Sequence, residues 1–193
     1  MNTTTFTTSS ISLARKAMAG AMLLAALGAQ AQSLSVLPSV SNVDPGDTFV
    51  LDVQGAGFIA PIVGGGFNLA FDPAILKLDS IKIPAAWEFA PNTGLLDITS
   101  GTVTDVSFNS FAAPKAGDFL AAQLTFTAIG SGSSAVSLSG SPTMVFGDID
   151  ANVVNVAFNG GKVNVSAVPE AGSLSLLLAG LGCMGLMRRL RRA

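Results

Sequence analysis

Histidine and tyrosine are missing from all 193 residues, cysteine occurs once at Cys183, tryptophan once at Trp87, and glutamate only at Glu88 and Glu170. These absences remove whole classes of chemistry. With no histidine and a solitary cysteine, neither a nucleophile–base pair nor a zinc site built from His or Cys can be assembled. Glycoside hydrolysis needs only two carboxylates, and Glu88 with Asp97 or Asp105 would supply them. Nothing in their spacing brings them together, however, and the aspartates are scattered through turn-forming sequence. The chain is therefore expected not to be an enzyme and to use no cofactor. A lone cysteine also rules out an internal disulfide, so the fold must be held by its core alone.

Charge is sparse, at 11% of residues, and it is unevenly placed. Six of the ten basic residues lie near the ends: Arg15, Lys16, Arg188, Arg189, Arg191 and Arg192. Residues 32–167 keep four lysines against eleven carboxylates, a formal charge of −7. An acidic domain repels nucleic acid and anionic lipid, so neither is an expected partner of that domain.

The two ends read as sorting signals. Arg15 and Lys16 precede an apolar stretch over 17–28 that is too short to span a bilayer, and Ala29-Gln30-Ala31 has the small-x-small pattern of signal-peptidase cleavage at Ala29 and Ala31. Residues 1–31 are thus expected to be a signal peptide, with the mature chain starting at Gln32. At the other end, Val168-Pro169-Glu170 is followed by an uncharged apolar stretch over 171–187 and then Arg188-Arg189-Leu190-Arg191-Arg192. At about 1.5 Å per residue a helix of that stretch sits at the short end of what crosses a ~30 Å hydrocarbon core. The arginines would stay cytoplasmic and leave everything before Val168 outside the inner membrane. Motif, marginal span and arginine cluster together resemble the PEP-CTERM tail, with Ala171 standing where that family usually has a second proline. The resemblance implies processing by an exosortase-type protease in a polysaccharide-secreting Gram-negative bacterium, with the C-terminal hydrophobic helix holding the chain in the membrane until then. Residues 168–193 form this tail, and Cys183 is an apolar filler within it.

Residues 32–167 alternate apolar and polar side chains over 48–54, 66–71, 75–83, 103–108, 120–128, 135–138 and 153–158. Between the runs lie Asp44-Pro45-Gly46-Asp47, Asp72-Pro73, Pro91-Asn92-Thr93-Gly94, Gly130-Ser131-Gly132-Ser133 and Asn159-Gly160-Gly161, all of it turn chemistry. Short runs of period two separated by turns predict one all-β domain, an antiparallel β-sandwich. Helical periodicity is absent apart from room for a single turn after Asp72-Pro73.

Particular residues go further. Val43-Asp44-Pro45-Gly46-Asp47 leads into Phe49-Val50-Leu51-Asp52-Val53, and Gly66-Phe67-Asn68-Leu69-Ala70-Phe71-Asp72-Pro73 into Ile75-Leu76. Gly117-Asp118-Phe119-Leu120-Ala121 precedes Leu124-Thr125-Phe126, and Phe146-Gly147-Asp148 precedes a closing hairpin over 156–165. Across nearly the whole domain this resembles a cohesin. The resemblance implies the nine-stranded jelly-roll topology of cohesins and related carbohydrate-binding sandwiches, and a role in adhesion or scaffolding at the cell surface or in the extracellular matrix. Dockerin-binding cohesins place polar side chains just before the Phe-Asp-Pro strand, on the binding sheet. Gly64 and Gly66 stand at those positions here and supply no side-chain hydrogen bond, so dockerin recognition is not expected. The glycine run reads as a strand entry where backbone packs closely, and Asp72 as the organiser of its own turn.

Two local signals complete the reading. Asp148-Ile149-Asp150-Ala151-Asn152 begins like a calcium loop, but Val153 takes the place of the required glycine and Asn159 that of the bidentate glutamate. A polar hairpin without a metal is expected. Trp87-Glu88-Phe89 lies in a proline-flanked loop over 84–91, where two readings stay open. Aromatic residues beside a carboxylate could stack a sugar ring, making the domain a module for matrix polysaccharide; alternatively Trp87 caps the core and the ligand is a surface protein. Exposure of the indole separates them.

Overall fold

The computed structural model describes residues 32–167. The cleavage residues Ala29 and Ala31, the Val168-Pro169-Glu170 motif, the apolar helix and the arginine cluster lie outside the described residues. Within them the alternating pattern becomes eleven strands: β1 (Ser33–Leu37), β2 (Val40–Val43), β3 (Thr48–Ala70), β4 (Leu76–Lys82), β5 (Asn92–Asp97), β6 (Thr102–Asn109), β7 (Lys115–Ala128), β8 (Gly132–Gly140), β9 (Gly147–Asp148), β10 (Ala157–Asn159) and β11 (Gly161–Val165).

β3 organises the sandwich. Its first half pairs with β1 and β7, and its second half with β6 and β8. One layer therefore runs β10-β1-β3-β7-β4 and the other β5-β6-β3-β8-β11-β2. The runs over 48–54 and 66–71, expected as separate strands, are the two ends of this one element. The chain passes between layers through a glycine-rich stretch containing Pro61, where the ladder to β7 thins to Phe58↔Gly117 and Ile62↔Lys115. Proline has no N–H to give a ladder, so it is tolerated where pairing is already interrupted.

Strands pair antiparallel with two exceptions. β1 lies parallel to β10, with Leu34 opposite Phe158, and β2 lies parallel to β11, with Val163 opposite Ser41. The expected closing hairpin over 156–165 is thus not formed: β10 and β11 belong to opposite layers, and Gly160 carries the chain from one to the other. Similarly, of the run over 153–158 only Ala157 and Phe158 enter β10. Pro91-Asn92-Thr93-Gly94, expected to turn, instead opens β5, whose Asn92 and Thr93 face Ser107 and Val106 of β6. The nine strands implied by the cohesin resemblance become eleven segments because the first and last are each broken in two, the second and third are fused, and β9 is added.

The inward side chains form one core, including Leu34, Val53, Phe58, Phe67, Leu69, Val106, Phe108 and Leu124, each at most 1% exposed. Five rings cluster towards one end: Trp87 lies 4.7 Å from Phe108 and 5.2 Å from Phe119, Phe58 lies 4.9 Å from Phe119, and Phe146 lies 5.7 Å from Phe108. Such tilted and edge-on pairs add to area burial. No buried side-chain polar atom among the described residues lacks a partner.

Candidate functional site

Trp87 follows a turn closed by its own N–H donating to the Pro84 carbonyl at 3.0 Å. From there the indole drops into the core: the residue is 1% exposed, and Nε1–H donates to the Leu120 carbonyl at 2.8 Å. No indole face is left for a pyranose, so Trp87 is not a sugar contact; a ring with a single polar atom is best buried when that atom finds an acceptor. Glu88 is likewise committed. Its Oε1 accepts the N–H groups of Phe111 and Ala112, both at 3.0 Å. Those bonds, led by Ala112 and joined by the Ser110 hydroxyl, lower its pKa from 4.5 to about 2. Glu88 and Phe89 are both at the surface, but of the two expected aromatic contacts only Phe89 is exposed, at 56%, and its neighbour is Phe111, 59% exposed, with ring centroids 4.9 Å apart. Phe111 was not singled out by sequence, because the loop that carries it shows no period.

Where β3 meets β8, the outer face of the second layer is small and polar. Asn68 of β3 faces Ser139 of β8, and Ala70 faces Ser137. On the β6 side, Phe67 pairs with Val106 and Leu69 with Val103, so Thr104 and Asp105 together oppose the single Asn68. This is a β-bulge, and it turns Asp105 into a left-handed conformation, φ 61°, that aspartate tolerates better than most residues. The Asp105 N–H donates to Asn68 Oδ1 at 2.8 Å, while its carboxylate accepts the hydroxyls of Ser141 at 2.6 Å and Thr143 at 2.7 Å. The Ser141 hydroxyl, then that of Thr143, hold the Asp105 carboxyl below the usual carboxylate range.

Asp105 thereby pins a strap, residues 141–146, across one end of the polar face. The strap lies on the glycine run. A Cβ on Gly66 would sit 2.5 Å from Met144 Cβ, and one on Gly65 would sit 2.5 Å from the Phe146 ring beneath. Close backbone packing is what the glycine run was expected to provide. The absence of side chains at Gly64 and Gly66 is thus part of how the strap seats, and Gly66 is covered as well as bare.

The remaining singled-out residues do structural work. Asp72 Oδ1 accepts the Ala74 N–H at 2.9 Å, and its carbonyl accepts those of Ile75 and Leu76, closing the single turn expected there. Asp148 Oδ1 accepts the N–H groups of Asp150 and Asn152, and Oδ2 the Asn152 side chain, so the calcium-like loop satisfies its own carboxylate. Asp97 serves the turn after β5, accepting the Thr99 N–H and the Ser100 hydroxyl. Glu88, Asp97 and Asp105 thus belong to three separate hydrogen-bond clusters. Among the described residues no three acidic, histidine or cysteine side chains gather as a metal site would require.

This arrangement of strands is found in solved cohesin modules. The cohesin of OlpA from Clostridium thermocellum, crystallised with the dockerin Doc918, has a TM-score of 0.60 at 14% identity, over 70% of this chain and 99% of that one. A non-cellulosomal cohesin from the archaeon Archaeoglobus fulgidus gives 0.58 at 15% identity over 74% and 96%. CaCohA2 from Clostridium acetobutylicum gives 0.55 at 16% identity over 72% and 94%. No protein-family model matches the sequence, and no curated protein matches it either. By its topology and by these likenesses, the described domain is a β-sandwich with the cohesin fold.

Proposed function

We propose that the chain is an exported, non-catalytic binding module that works in adhesion or scaffolding at the cell surface or in the exopolysaccharide matrix, with a protein as its partner. Two observations carry the choice of protein over sugar: the burial of Trp87, and the small, polar outer face that β3 and β8 present. The Clostridium thermocellum module of this fold is itself held in a cohesin–dockerin complex. A bare and covered Gly66 argues against dockerin as the partner here. The absence of histidine, and the engagement of each candidate carboxylate in its own turn or loop, support a role without catalysis. Export rests on the two terminal signals: signal-peptidase cleavage after Ala31, transient anchoring in the inner membrane of a Gram-negative host, and processing near Val168-Pro169-Glu170 by an exosortase-type protease.

Intact mass tests the export half. The protein released by a host that has the protease should lack the apolar stretch and the arginines; recovery solely from the inner membrane with Arg192 attached would refute processing. Surface retention tests the binding half. Ser139→Arg, on the polar face, should reduce retention of the exported protein on its own cells, and Phe89→Ala with Phe111→Ala should leave it unchanged. The opposite pattern would support a second reading, a carbohydrate-binding module for matrix polysaccharide. One observation favours that reading: the exposed Phe89–Phe111 pair, set firm by Glu88.

A further inference from the structure

The strap over the polar face is held by little. Its ends are fixed: Ser141 and Phe146 are each 4% exposed, and the chain pairs with β3 on either side, Gly140 opposite Phe67 and Gly147 opposite Gly64. Residues 142–145 between them belong to no strand. The amides of Thr143 and Met144 turn back on the strap itself, donating to Ser141 Oγ at 3.2 Å and 3.0 Å. Among the described residues one hydrogen bond joins these four residues to the sheet, from the Thr143 hydroxyl to Asp105. It lies at the surface, where water exchanges for a hydroxyl at small net cost. Packing adds little more. Met144 rests on Gly66, and beside that contact a recess of about 200 Å³ opens between the strap and the segment leading to β10, lined by Met144, Val145, Phe146, Val153, Val154 and Val156. Side chains that border a hollow forfeit the contacts that close packing would give them. Met144 is already 40% exposed and Val145 56%, so raising the strap uncovers little further apolar surface of its own.

We propose that residues 141–146 are a cover over the partner-binding face, and that the bond between Thr143 and Asp105 is the latch that sets how often the face is open. This rests on the reading of that face as the place where a protein binds. Strand alternation shows what is hidden. Phe67 and Leu69 point into the core, so Gly66 and Asn68 point outward, and Ser107 stands opposite Gly66 on β6. Gly66 and Ser107 are nonetheless buried, Ser107 at 2% exposure, with the strap lying on Gly66. With the strap raised, the surface of Asn68, Ser137 and Ser139 extends over Gly66, where the missing side chain lets a second backbone come close. The Asp105 carboxylate is released from its two hydroxyls at the same time. Cover and partner then compete for one surface. A partner that needs the open face binds with its intrinsic affinity reduced by the fraction of molecules that are open. Weakening the latch therefore strengthens binding, the reverse of what damage to a binding surface does.

Thr143→Val tests the latch, because it removes the hydroxyl and keeps the shape at an exposed position. In the exported protein it should lower the concentration for half-maximal retention on the host's own cells about two- to tenfold, the effect of losing one hydrogen bond from the closed form. Relaxation-dispersion NMR of the same variant reads the opening without a partner: Gly66, Met144 and Val145 should show stronger microsecond-to-millisecond exchange than in the unaltered chain. Thr127→Val, which removes a hydroxyl bonded to Asp79 on the other layer, should change neither measurement. Ser139→Arg, measured alongside, separates the two readings. Retention weakened by Ser139→Arg but not strengthened by Thr143→Val would overturn the cover and leave the face standing. Retention indifferent to Ser139→Arg would overturn the face, and the cover with it. Stronger retention with no added exchange at Gly66 would also overturn the cover, since the gain would then come from the new side chain itself.

Discussion

Trp87 does two jobs that no other side chain could combine: its ring bridges Phe108 and Phe119, and its one polar atom satisfies the Leu120 carbonyl. Trp87→Ala should therefore cost about 3–5 kcal/mol, the range for truncating a buried aromatic. Trp87→Phe should cost less, about 1–3 kcal/mol, because it keeps most of the ring contact but orphans a carbonyl. Urea unfolding of the two variants measures both, and an unchanged midpoint for Trp87→Ala would contradict the burial. Glu88 gives a pH signature. Its pKa is depressed in the folded chain from 4.5 to about 2. The bonds it makes are fully present above about pH 4.5 and are lost as the pH falls through about 2. Below that range the amides of Phe111 and Ala112 should exchange faster while the core strands keep their protection. Hydrogen exchange read by NMR checks this, and Glu88→Gln should show weakened protection at neutral pH as well.

At the scale of elements, the strap over the polar face is the part most open to manipulation. Gly66→Val must displace Met144 or part β3 from β6, since the new Cβ also falls 2.7 Å from the Val106 carbonyl. Overpacking of this kind costs about 1–3 kcal/mol, and exchange at Met144 and Val145 should rise before that of β3 itself. What the sequence disclosed about these elements follows a physical rule. The runs over 75–83, 103–108 and 120–128 were legible because each has one face in the core, and burial of one face is what period two records. The crossing between 55 and 65 was not, since glycine and proline there read as a break when the chain continues as strand. Asn92-Thr93-Gly94 has the residues of a turn but lies against β6, and pairing with a neighbour outweighs local preference. The bulge at Thr104 and Asp105 left no trace, because its cause is the partner strand. Whether Trp87 faced water or core depended on Phe108 and Phe119, residues about twenty and thirty positions away in the chain, so composition of the loop alone left the question open.

For the molecule as a whole, residues 32–167 contain no cysteine, so the stability of the domain owes nothing to redox conditions, and the strands shared through β3 tie both layers into one unit. Unfolding should be a single transition, the same by tryptophan fluorescence and by far-ultraviolet circular dichroism; two separated midpoints would mean the layers melt independently. The way the chain is closed has a mechanical side. The first and last strands run parallel, β1 beside β10 and β2 beside β11. Tension applied between Gln32 and Ala167 therefore drags neighbouring strands in opposite directions along their length, so their hydrogen bonds stretch together instead of parting one after another like a zipper. Stretching single molecules from these two ends should meet one high force peak, and pulling from positions that peel β11 off β8 should meet a much lower one. A protein tethered at one end and gripped at the other would hold fast under flow because of the direction in which its two outermost strands point.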